Sequence, residues 1–111
     1  MSLRIVFTSL ARADVVDTTC DLAGRSADAA AKFHDCVRRS TRRLSEMPEL
    51  GTVTPLGDQR SKTVRIWPVK DFPNHLIFYQ IETDELIILR VLHGSTNYET
   101  LFFGSGRGGC S

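Results

Sequence analysis

The sequence predicts an α+β domain of order β-α-α-β-β-β, an antiparallel helical hairpin packed on a small, mainly antiparallel sheet. Three observations carry this reading. Apolar residues recur at steps of three and four through the first half of the chain. Three apolar runs rich in β-formers, at about 63–69, 75–82 and 85–92, follow in the second half with turn residues between them. One long loop, 48–62, carries Pro48, Gly51, Pro55 and Gly57 and separates the two halves. Helices first and strands afterwards give segregated layers rather than alternating βαβ units.

The elements follow in chain order. Leu3 to Phe7 is apolar and β-branched enough for a short strand, and Thr8 or Ser9 can cap the helix after it. Leu10, Ala13, Val16, Cys20 and Ala23 then share one face of a first helix, the expected buried face, with Arg12, Asp14, Asp17 and Asp21 elsewhere. Gly24 is the expected stop. Ser26 caps a second helix with Asp28 in its first turn, where a carboxylate suits the helix dipole. Ala30, Phe33, Val37, Leu44 and Met47 continue an apolar stripe that Ser40 and Thr41 interrupt, so weaker packing or an intruding partner is expected there. Pro48 ends the helix. The link Gly24–Arg25 is short enough for an antiparallel hairpin.

In the second half, Asp71 and Pro73 mark the first turn, and Thr83–Asp84 fits a two-residue hairpin loop. The runs Leu76–Tyr79 and Leu86–Leu89 barely alternate, which predicts strands central in the sheet or covered on both faces. Trp67, Phe72, Phe78 and Tyr79 are expected in the core. Leu101, Phe102 and Phe103 are expected to tuck back onto the sheet. Residues 104–111, GSGRGGCS, read as a flexible tail after a domain of 1–103.

The chain has 111 residues, 41% hydrophobic and 24% charged, which fits one small domain with a modest core. The 14 Lys and Arg against 13 Asp and Glu leave a net charge of +1, too even for a nucleic-acid binder judged on overall charge. No apolar run approaches a membrane span and no export signal is visible, so a cytoplasmic setting without a membrane partner is expected. Cys20, Cys36 and Cys110 form an odd set without C-x-x-C spacing and read as free thiols. His34 and His75 stand alone in the sequence, so neither a metal nor a cofactor is expected.

Four stretches carry a resemblance: Met47-Pro-Glu-Leu-Gly51, Arg65-x-Trp-Pro-Val69, Leu76-Ile-Phe-Tyr79 and Ile88-Leu-Arg-Val-Leu-His-Gly94. In this order and spacing the chain resembles the ParE/RelE superfamily of bacterial toxin–antitoxin systems, nearer its ParE branch, over roughly Arg4 to Phe103. The resemblance implies the element order above. It also implies a toxin that acts by binding, in the best-studied kind on DNA gyrase. A cognate antitoxin, a small DNA-binding protein with an amphipathic C-terminal segment, would neutralise it. RelE-like relatives instead cut mRNA in the ribosome, which needs a base, an acid and cations around the phosphate. Here the place three residues before Tyr79 holds Leu76 rather than the arginine common in those nucleases. The ending His93-Gly-Ser-Thr96-Asn97 also lacks the Arg and Asp of the usual ParE-like pattern.

The candidate partner-binding residues are Arg38, Arg39, Arg42, Arg43, Arg90, His93 and Tyr98. The four clustered arginines suit an acidic partner segment or nucleic acid. They also suit a solvated helix face with the pairs Asp35–Arg39 and Arg42–Glu46. No catalytic set is expected on the ParE-like reading; the nuclease alternative, with the ribosome as partner, would use Arg65, Arg90 and His93. A structural reading ties Arg65 and Arg90 to acids such as Glu82 or Glu99 and lets His93 bond the turn backbone.

Overall fold

In a computed structural model, residues 2–54 and 63–94 are described, and the following statements concern these. Strand β1 (Arg4–Phe7) leads into helix α1 (Ser9–Ala23) and helix α2 (Ala27–Glu46). A 3₁₀ turn (Pro48–Leu50) and the short strand β2 (Thr52–Val53) come next, then β3 (Arg65–Val69), β4 (Phe72–Ile81) and β5 (Glu85–His93). The five strands form one sheet in the order β1-β5-β4-β3-β2. All neighbours are antiparallel except β1 and β5, which run parallel from Arg4↔Glu85 to Phe7↔Ile88. The α+β architecture is as the sequence predicts. Strand β2 and the place of β1 beside the last strand were not visible in it.

Local chemistry fixes the element ends. Thr8 caps α1, its Oγ1 accepting from the Ala11 N–H at 3.1 Å. Ser26 caps α2, accepting from the Ala29 N–H at 3.2 Å. The β3–β4 turn is tighter than expected because Asp71 takes a left-handed backbone (φ 64°), which lets β4 begin at Phe72. The β4–β5 turn at Thr83–Asp84 is the expected two-residue loop, closed by the Glu82 N–H donating to Glu85 O at 2.8 Å.

Side chains alternate across β4 and build two cores. Ile77 and Tyr79 join Phe33, Val37 and Leu44 of α2, with Leu86, Ile88 and Val91 of β5, between the helices and the sheet. Phe78 joins Val64 and Leu92 in a second cluster, with Ile66, Leu76 and Leu89 against it. Strands β4 and β5 are thus central, which explains their near-continuous apolar runs. Tyr79 is fully buried, and its hydroxyl donates to Pro48 O (2.7 Å) and accepts from the Gly51 N–H (2.8 Å). Burial pushes this phenol above its ordinary value, while the Gly51 bond and Arg65 act against that. Gly51 lies so close that a β-carbon there would meet Tyr79 Cε1 at 2.7 Å and Ile66 O at 2.9 Å, so no side chain fits.

Candidate partner-binding surface

Helix α2 buries one face and offers the other. Ala30, Phe33, Cys36, Val37, Ser40, Thr41, Leu44 and Ser45 are buried. The expected weak spot at Ser40–Thr41 is therefore closed. Ser40 Oγ accepts from the Lys70 N–H at 2.9 Å and ties the helix to the β3–β4 turn. Thr41 Oγ1 donates to Arg38 O at 3.0 Å, and Ser45 Oγ donates to Arg42 O at 2.6 Å. Thr41 and Ser45 find partners within their own helix and Ser40 finds one on the turn, so each hydroxyl can enter the core at low cost.

The opposite face carries Arg38, Arg39, Arg42 and Arg43, all exposed. Arg39 pairs with Asp35 at 2.9 Å. The expected pair Arg42–Glu46 does not form, and among the described residues Arg38, Arg42 and Arg43 have no ion pair. Two shallow grooves flank this ridge. One runs toward β1, lined by Ile5, Phe7, Thr41 and the arginines 38, 39 and 42. The other runs toward β3, lined by Arg39, Arg43, Trp67, Pro68 and Lys70. Each combines apolar walls with arginines, alongside Asp35 in the first and Asp71 in the second.

Helix α1 reverses the expected orientation. Leu10 and Val16 are 59% and 58% exposed, and Ala13, Cys20 and Ala23 also face solvent. The inward side holds Ala11, Val15 and Leu22, with Asp14 among them. Asp14 decides the matter. Its carboxylate accepts from Arg90 Nε (2.8 Å), Arg90 Nη2 (2.9 Å) and the Val91 N–H (3.0 Å). The two side chains are 11% and 16% exposed. The Asp14 bond raises the Arg90 pKa against the opposing effect of burial. Arg90 is thus committed to α1 rather than to Glu82, and Glu99, also considered from sequence, lies outside the described residues. Thr8 completes the tie: its N–H donates to Ile88 O at 3.1 Å and its Oγ1 to Leu89 O at 2.9 Å. A third groove, between the helices, is lined by Phe7, Val15, Val16, Cys20, Val37 and Arg38 among others. It joins the apolar face of α1 to the arginine ridge.

The remaining candidates do not converge. Arg65 spends its guanidinium on Gly51 O (2.9 Å) and Glu49 O (3.4 Å) and stands opposite Tyr79. His93 is exposed and stands opposite His75, and the two partner positions lie four residues apart on β4, roughly 13 Å at strand rise. Arg65, Arg90 and His93 therefore do not surround one point where a phosphate could sit. Tyr98, Leu101, Phe102, Phe103 and the tail 104–111 lie outside the described residues. Among the described residues no group of three or more His, Cys, Asp and Glu is placed to hold a metal ion. No helix there is long and apolar enough to cross a membrane.

The sequence matches the family described as ParE toxin of type II toxin-antitoxin system, parDE, over residues 5–98. The chain belongs to the ParE toxin family. No curated protein matches it. A ParE-type fold is also found in a solved structure described as the chromosomal ParDE TA system from P. aeruginosa. That neighbour is 18% identical, with a TM-score of 0.62, over 83% of this chain and 96% of the other. At this identity the likeness speaks to the fold. The ParE assignment shows what the chain is, the toxin of a toxin–antitoxin system. The site residues rest on the geometry above. Sequence reasoning missed two of the features on which this surface depends: the inward Asp14 and the outward Leu10 and Val16.

Proposed function

We propose that this ParE-family toxin acts by gripping and inhibiting a macromolecular target of the DNA gyrase type. In this reading a cognate antitoxin silences it. The antitoxin's amphipathic C-terminal segment lies along the groove between α1 and α2, with apolar residues on Val16 and the exposed Leu10 beyond it, and acidic residues facing Arg38. One observation carries the reading. Of the three residues the nuclease alternative would use, Arg90 is committed to Asp14 and Arg65 to backbone carbonyls, and His93 stands roughly 13 Å further along the sheet from Arg65. The exposed surface instead joins large apolar side chains to guanidiniums without an ion pair among the described residues, a pattern suited to a protein partner.

The test uses the purified full chain in two assays. A DNA-supercoiling assay with gyrase should show inhibition that the product of the adjacent small reading frame relieves. A translation assay should show no mRNA cleavage. Normal supercoiling at toxin excess, together with ribosome-dependent cleavage, would reverse the assignment in favour of the RelE-like alternative. Thermal-shift titration with the adjacent gene product should raise the melting midpoint.

A further inference from the structure

We propose that His75 and His93 form a two-histidine chelate for a divalent late transition ion such as Zn²⁺ or Ni²⁺, with water completing the coordination. The site is independent of the toxin reading and lies apart from the arginine ridge. The two residues are separate in the sequence and meet only through the sheet. They stand directly opposite each other on the antiparallel strands β4 and β5. Side chains so placed have β-carbons about 4.5–5.5 Å apart. Their ring centroids are 5.1 Å apart, with the planes at 86°.

That separation can be compared with coordination geometry. An imidazole nitrogen sits about 2.1 Å from zinc, and the ring centre lies roughly 1.1 Å behind it. Two such rings on one ion, at angles from square to tetrahedral, have centroids roughly 4.5–5.2 Å apart. The observed distance falls inside this window, so the strands need not move and the exposed His93 ring supplies any adjustment. Imidazole pairs suit zinc, nickel and copper ahead of magnesium or calcium.

The first ligand is already held in place. The ring of His75 packs edge-on against Phe33 at 5.1 Å and against Phe72 at 6.2 Å. The strand end is closed by the Gly94 N–H donating to Asn74 O at 2.6 Å. Such preorganisation removes much of the ordering cost of chelation. His93 is exposed, so an ion has a path in. Two protein ligands leave the ion open to solvent, and the expected result is a reversible clamp on the ends of β4 and β5.

The experiment titrates the full chain with NiCl₂ and with ZnCl₂, in a Cys20→Ser, Cys110→Ser background so that those thiols do not compete. Sub-stoichiometric Ni²⁺ should broaden the imidazole NMR signals of His75 and His93 before that of His34. Zinc at roughly tenfold excess over its dissociation constant should raise the melting midpoint by about 5–10 °C, reversibly with a chelator. His93→Asn should weaken binding at least tenfold, as should lowering the pH from 7.5 to 5.5. His75→Phe keeps the aromatic packing and should abolish binding in a folded protein. Broadening centred on His34, an undiminished zinc effect in His93→Asn or His75→Phe, or no effect at millimolar metal would overturn the proposal.

Discussion

The two helices of the hairpin are held by different physics. Helix α2 is a conventional amphipathic element: eight of its residues are buried, and its cations point outward. Helix α1 buries only Ala11 completely and leaves Leu10 and Val16 more than half exposed. What fixes α1 is polar, namely the Thr8 cap with its bonds to β5 and the Asp14–Arg90 pair. Hydrophobic burial is non-directional and tolerates adjustment, whereas a bidentate ion pair specifies one rotation of the helix about its axis. An apolar face can therefore remain outward, available to a partner, without the helix rolling over to bury it.

This contrast can be tested by perturbing each side. The largest loss should come from Phe33→Ala, which empties the fully buried centre of α2 and should cost about 3–5 kcal/mol in urea unfolding. Asp14→Ala should cost less, about 3 kcal/mol, because the pair it breaks keeps some contact with water. The double change Asp14→Ala, Arg90→Leu should recover part of that loss, since it removes the stranded charge. A cycle showing no coupling between the two positions would break the argument that the ion pair sets α1.

Smaller effects sharpen the comparison. His75 packs on Phe33, and its pKa is lowered in the folded chain. The unfolded chain therefore binds the proton more readily. Stability should be full above the ordinary value of 6.5 and should decline as pH falls from there through the lowered folded value. Denaturation midpoints from pH 8 to pH 5, with His75→Phe as the reference, would register this slope. The smallest stability effect belongs to the outward face of α1. Leu10→Lys with Val16→Lys should move stability by no more than about 0.5 kcal/mol per site, yet weaken antitoxin binding more than tenfold. Unchanged affinity would remove α1 from the proposed interface.

Much of the fold was legible because it is written locally. Thr8, Ser26, Gly24 and Pro48 bound the helices where capping chemistry places them, and the unalternating runs of β4 and β5 reported two covered faces. The face of α1 was not legible. Its sequence holds two apolar stripes, and the longer one, Leu10 to Ala23, is the exposed one. The choice is made by an arginine 76 positions away, which no local periodicity can register. The same limit hid the His75–His93 meeting and the parallel pairing of β1 with β5. At the candidate surface, the arginine ridge could be read directly from residues 38–43. The groove beside it depends on α1 facing outward and so required the tertiary structure.

The four-residue β1 stops at Phe7, while β5 runs on to His93. An uncovered strand margin of this kind invites a second chain to extend the ribbon. Thr8 and Asp14 forestall this by occupying the carbonyls of Ile88 and Leu89 and the amide of Val91. The same carboxylate that aims a helix thus also acts as a stopper. One route by which a second copy could add to the sheet is thereby closed.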